Sequence, residues 1–88
     1  MDDVVAKITE LIAGLNPYND IFPDLDLFNS NMLDSLKFVV FLQDVEEKFN
    51  IEIDPDELVI DNFQTIYSIA SFVKRKTTQT EHQDLPQT

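Results

Sequence analysis

The chain has 88 residues and a mass of 10.2 kDa, enough for one small domain, and its 43% of hydrophobic residues can furnish a core. Seventeen acids against six bases leave a formal net charge of -11, which disfavours nucleic acid and anionic membrane surfaces and favours basic protein surfaces. Without Cys there is no disulfide, thiolate metal site or Cys nucleophile; the lone Gly14 cannot make a phosphate-wrapping loop; the lone His82, in a polar tail, is poorly placed for a Ser-His-Asp triad.

No apolar run is long enough to cross a bilayer. Met1 is followed by Asp2 and Asp3 rather than by the basic residues of a signal peptide, so a cytoplasmic protein is expected. These absences also point away from an enzyme.

The first predicted element spans about Asp2 to Leu15, where Val4, Val5, Ile8, Leu11, Ile12 and Leu15 recur at helical spacing. Asp2 or Asp3 supplies its cap, and Gly14 with Asn16-Pro17 is expected to end it. From Asn16 to Leu33 the prolines, Asn and Asp oppose a continuous helix. Ile21, Phe22, Leu25, Leu27, Phe28, Met32 and Leu33 are nevertheless too apolar for a disordered linker. An ordered loop packed across the bundle is expected, and ordered loops of this length are usually functional.

A second helix is predicted from Ser35 to Phe49, with Asp34 as its cap. Phe38, Phe41, Leu42, Val45 and Phe49 share one face, with Val39 at its edge, and Lys37, Asp44, Glu47 and Lys48 lie opposite. Leu36 and Val40 break the pattern, since both are apolar and project toward the polar side, one turn apart. Gln43 and Glu47 continue their ridge. Burial against the long loop is one explanation for the pair. A docking surface inside an acidic rim is the other.

Ile51-Glu52-Ile53 reads as an extended link. Asp54-Pro55-Asp56-Glu57 is a helix start of capping-box type, opening a short third helix from Pro55 to about Ile60. The last helix is expected from Gln64 or Thr65 to about Lys76. Ile66, Ile69, Ala70 and Val73 form its buried stripe, Phe63 and Phe72 support it, and Lys74-Arg75-Lys76 suits its C-terminal dipole. The fold class is therefore all-α: a four-helix bundle with three main helices, one short third helix and a long ordered loop between the first two. Residues 1–76 form the domain and residues 77–88 a mobile polar tail.

Two local patterns bear on chemistry. Asp24-Leu25-Asp26 begins like a calcium loop, but Phe28, Asn29 and Ser35 occupy positions that need an acid, a Gly and a Glu, so no metal site is expected. Asp34-Ser35-Leu36 places a serine at the start of a helix, where free backbone amides would favour a phosphate on its hydroxyl; the plainer alternative is an ordinary helix cap.

The wider pattern resembles the acyl carrier protein family, the phosphopantetheine-binding carrier domains, over roughly Val4 to Arg75. It is carried by Met32-Leu33-Asp34-Ser35-Leu36, Val45-Glu46-Glu47-Lys48-Phe49, Ile51-Glu52-Ile53, Pro55-Asp56-Glu57-Leu58 and Phe63-Gln64-Thr65-Ile66. The resemblance implies a covalent 4'-phosphopantetheine arm on Ser35, attached by a separate phosphopantetheinyl transferase that uses magnesium and coenzyme A. Asp34 would cap the helix and help the transferase. The arm's thiol would hold an acyl or aminoacyl cargo as a thioester, supplied by a loading ligase and passed to a downstream transferase or synthase. Leu36, Val40, Gln43, Asp44 and Glu47 would meet these partners, since the family's second helix is its usual recognition helix. A monomer that is not itself an enzyme is expected. Many fatty-acid carriers have Gly where this chain has Met32; the form here is closer to stand-alone carriers of specialised pathways, D-alanyl and other aminoacyl carriers among them. The alternative is an acidic helical adaptor with no prosthetic group.

Overall fold

The computed structural model describes residues 3–84, with side chains described through residue 77. Its elements are α1 (Asp3–Leu15), α2 (Ser35–Phe49), a 3-10 turn (Pro55–Glu57), α3 (Ile60–Phe63) and α4 (Ile66–Asp84), with no strand among the described residues. This is the all-α, four-helix architecture expected. Helix α4 packs on α1 and α3, and α1 packs on α2.

The core follows the periodicity. Ile8 and Ile12 of α1, Phe41 and Val45 of α2, and Phe63, Ile66, Ile69, Ala70, Phe72 and Val73 are all buried. Ring contacts link Phe28 to Phe38 (5.6 Å), Phe38 to Phe63 (5.3 Å) and Phe63 to Phe72 (5.2 Å), so one aromatic chain runs from the long loop through α2 and α3 to α4. The loop is ordered as expected. Leu27 and Leu33 are fully buried, Ile21, Phe28 and Met32 pack against the core, and Leu27 N–H donates to Gln64 O at 2.8 Å. Phe22 is the exception, 55% exposed.

Asp26 organises the loop's middle. Its carboxylate accepts from the Phe28 and Asn29 backbone amides, from Asn29 Nδ2 and, at 2.9 Å, from Gln64 Nε2. The Gln64 bond, with the Asn29 amide next, holds this carboxyl below its ordinary value against the opposing effect of burial. Asp26 thus ties a turn to the approach of α4.

Two boundaries differ from expectation, and α1, though it ends at Leu15 as expected, is not ended by Gly14. Gly14 does not end α1, because the helix continues to Leu15 and the glycine has a helical backbone with open space around it. The helix ends instead at Asn16, whose N–H donates to Ala13 O (3.1 Å) and whose Nδ2 donates to Ile12 O (3.0 Å). The expected third helix from Pro55 to Ile60 is two pieces. Asn62 Nδ2 occupies Glu57 O at 2.9 Å, a carbonyl that a continuing helix would need, and Val59 is extended at φ -117° and ψ 149°. Finally, α4 does not stop near Lys76 but runs to Asp84. No Gly or Pro interrupts it, and the next breaker in the sequence is Pro86. The side chain of His82 and residues 85–88 of the expected mobile tail lie outside the described residues.

Candidate functional site

The long loop returns to α2 through a left-handed residue, Asn31 (φ 64°), which turns the chain just before Met32 and the buried Leu33. With Leu33 anchored, Asp34 and Ser35 emerge at the surface. Asp34 is extended, and its Oδ1 accepts the Lys37 N–H at 2.9 Å while its carbonyl accepts the Phe38 N–H at 2.8 Å. The predicted cap and the predicted span of α2 therefore both hold. The amides of Ser35 and Leu36 have no partner among the described residues, nor has the Ser35 hydroxyl. An exposed hydroxyl thus stands beside two free N–H donors at a positive helix end, a combination suited to a phosphoryl group esterified at Ser35 Oγ.

The predicted partner residues lie along the same helix. Leu36 is 75% exposed and Val40 38%, so neither is buried against the loop. Val39, placed at the edge of the buried face from its spacing, is itself 52% exposed and widens the apolar strip. Gln43 and Glu47 are exposed, and Asp44 is half-buried. Asp44, Glu47 and Lys48 line a shallow groove together with Leu11 of α1. A second exposed aliphatic run, Leu58-Val59-Ile60, leads into α3.

The sequence pattern did not reveal how the start of α2 is tied down. Asn16 is buried, with 3% exposure. Its Nδ2 donates to Met32 O at 2.9 Å as well as to Ile12 O, and its Oδ1 accepts from Lys37 Nζ at 2.7 Å. Lys37, assigned to the polar face, is half-buried by this contact. A signal was present: Asn16 continues the Ile8–Ile12 stripe at four-residue spacing, so a polar side chain was due in the core.

A compact helical scaffold that presents an exposed serine at a capped helix start, beside an apolar strip with acidic edges, is the layout of a carrier domain. A family model described as "Phosphopantetheine attachment site" matches residues 6–73. The D-alanyl carrier protein of Lactococcus lactis subsp. cremoris (strain MG1363) is 30% identical over 77 residues, 88% of this chain and 96% of the relative. The D-alanyl carrier protein of Lactococcus lactis subsp. lactis (strain IL1403) is 28% identical over 76 residues, 86% of this chain and 95% of the relative. The chain belongs to the phosphopantetheine-binding carrier family. Its prosthetic group is a covalent 4'-phosphopantetheine, and the domain is a carrier rather than an enzyme. The adaptor with no prosthetic group gives way to this assignment. No described helix is long and apolar enough to cross a membrane.

Proposed function

We propose that Ser35 is the attachment residue and that the arm carries an aminoacyl thioester, with D-alanine as the first cargo to test. The observation that carries the site is the exposed, unpartnered Ser35 hydroxyl at the capped start of α2, within the matched stretch. Attachment forms a bond from Ser35 Oγ to the phosphopantetheine phosphorus, breaks the pyrophosphate linkage of coenzyme A with release of adenosine 3',5'-bisphosphate, and passes the hydroxyl proton to a base of the transferase. The arm brings the thiol, which a chain without Cys lacks. The cargo proposal is supported by the two related D-alanyl carrier proteins, which match over nearly their whole length.

Residues 1–76 form the carrier unit in this proposal, and the protein works as a cytoplasmic monomer between a phosphopantetheinyl transferase, a loading ligase and a downstream acceptor enzyme. Leu36, Val40, Gln43, Asp44 and Glu47 meet these partners, and Asp34 fixes the helix end that the transferase approaches.

Incubation with coenzyme A, magnesium and a broad-specificity phosphopantetheinyl transferase should add one phosphopantetheine mass, mapped to Ser35. Ser35→Ala should abolish the gain and keep the helical circular dichroism. Modification mapped to Ser30, Ser68 or Ser71 would sink the site assignment. Loading of the modified protein by a D-alanine-activating ligase, scored against other amino acids and fatty acids, tests the cargo.

A further inference from the structure

The start of α2 is held by a single buried side chain from the end of α1. Asn16 reaches three segments at once: Ile12 O in α1's last turn, Met32 O in the loop's return, and Lys37 Nζ in the first turn of α2, at 3.0, 2.9 and 2.7 Å. The amide's orientation is dictated by its partners. Both Nδ2 hydrogens face carbonyls and Oδ1 faces an ammonium, so each group meets its complement. The two long-range partners, Met32 and Lys37, flank Ser35 in sequence on either side.

We infer that Asn16, acting through Met32 and Lys37, is the positioning residue that presents Ser35 to the transferase. The inference rests on Ser35 being the attachment residue. Two features make a local role in helix termination insufficient. Lys37, in the first turn of α2, donates to Asn16 Oδ1 and so ties that turn to the end of α1, 21 residues away. The segment from Met32 to Asp34 has one buried anchor, Leu33, and Met32 O bonded to Asn16 fixes the peptide immediately before it. Without Asn16 the junction loses its ties to α1, while the Leu33 N–H bond to Leu27 O (2.9 Å) and the Asp34 cap remain, so the first turn of α2, which contains Ser35, gains freedom without unfolding. The remainder of α2, held by Phe41 and Val45 in the core, keeps its place.

This arrangement separates two kinetic constants. Of the docking residues only Leu36 lies in the first turn, while Val40, Gln43, Asp44 and Glu47 use the part of α2 that stays packed, so KM for the carrier should change by less than kcat does. Presentation of the hydroxyl is disturbed, so kcat for phosphopantetheinylation should fall on the order of tenfold, the scale expected when a reacting group is misplaced by less than an ångström. A purely structural role gives the opposite split. It lowers the folded fraction, which raises apparent KM and leaves kcat at saturation unchanged.

The test is steady-state phosphopantetheinylation of Asn16→Ala, Asn16→Asp, Lys37→Met and Lys37→Arg. It is run at a temperature where circular dichroism shows each variant fully helical, after the wild-type adduct has been mapped. Asn16→Asp keeps an acceptor for Lys37 but loses both donors to carbonyls, and should fall in kcat with Asn16→Ala. Lys37→Met keeps the carbonyl ties, should lose part of kcat, and should be restored by Lys37→Arg, which donates to the same oxygen. If Asn16→Ala does not fold, Asn16→Asp takes its place beside the Lys37 pair. An adduct on Ser35 with unchanged kcat in Asn16→Ala and Lys37→Met overturns the positioning role and leaves the attachment site standing. An adduct elsewhere overturns the attachment site itself. Loss of kcat in Lys37→Met with none in either Asn16 variant also overturns the inference, because Lys37 would then act on the transferase directly.

Discussion

At the scale of single residues, two positions near the end of α1, Gly14 and Asn16, do something other than what their residue types suggest. Gly14 lies inside the helix, exposed, with nothing within 4 Å of the position a Cβ would take and no left-handed backbone. Its flexibility therefore serves the unfolded chain only. Gly14→Ala should stabilise the protein by about 0.5–1 kcal/mol, read from urea denaturation, with no change in the rate of modification. A loss of stability would show that the end of α1 needs a glycine after all. Asn16, by contrast, looks in sequence like a common helix-stop residue before a proline, and its local bonds to Ala13 O and Ile12 O fit that role. Its other two bonds join residues 16 and 21 positions away in the chain, and no local pattern encodes those distances. The serine and its cap were legible because capping chemistry is local. The clamp beneath them was not, because it depends on how the loop folds back.

At the scale of elements, the same division holds. Helix α2 matched its predicted span because Asp34 caps one end and left-handed Asn50 (φ 54°) closes the other, both within a few residues of sequence. The third helix did not, because Asn62 takes Glu57 O and divides it. That region is braced to α4: Glu57 Oε1 accepts from Asp54 N–H at 2.9 Å and from Lys76 Nζ at 2.9 Å, and Arg75 Nη2 approaches Asn62 Oδ1 at 3.4 Å. Burial pushes the Glu57 carboxyl up, yet the Asp54 amide and the Lys76 ammonium together hold it below its ordinary 4.5. A lowered folded pKa means stability that is present above 4.5 and lost as pH falls through the lower, folded value. The melting temperature of wild type should therefore exceed that of Glu57→Gln at neutral pH, and the gap should close as pH drops below 4.5. A gap that persists in acid would assign the brace to shape rather than charge. The exposed strip of α2 makes a different prediction. Val40 is 38% exposed, so Val40→Ser should change stability by less than about 1 kcal/mol while weakening loading by a partner enzyme. Glu47→Lys should slow association chiefly at low salt, as a rim charge does. Unfolding of Val40→Ser with normal partner kinetics would return Val40 to the core.

At the scale of the whole molecule, charge is the dominant fact. The formal net charge is -11; among the described residues Lys7 pairs with Asp3 across an exposed turn at 3.3 Å, Lys76 with Glu57 at 2.9 Å, and Lys37 bonds to a neutral amide. The exposed Lys7–Asp3 pair adds little stability. The consequence depends on how far one acid feels another. The molecule measures 29 and 20 Å along its two shorter axes. At 0.01 M ionic strength the screening length is about 30 Å, so acids on opposite faces repel through the whole fold; at 0.15 M it is about 8 Å and only neighbours remain coupled. Unfolding moves the charges apart and relieves the repulsion, which places the penalty on the folded state. The melting temperature should therefore rise as sodium chloride is raised from the lower to the higher of these values, and most of the gain should come early. Magnesium at millimolar concentration should give a larger rise than sodium at equal ionic strength, since a divalent ion gathers more closely around clustered acids. The property has a use in the proposed function: a field of one sign draws a basic partner face toward α2 and keeps carriers apart from one another. Charge-reversing substitutions distant from α2 should accordingly stabilise the fold at low salt while slowing partner association. A melting temperature that stays flat across the titration would mean that uptake of counterions, rather than the fold, already absorbs the repulsion.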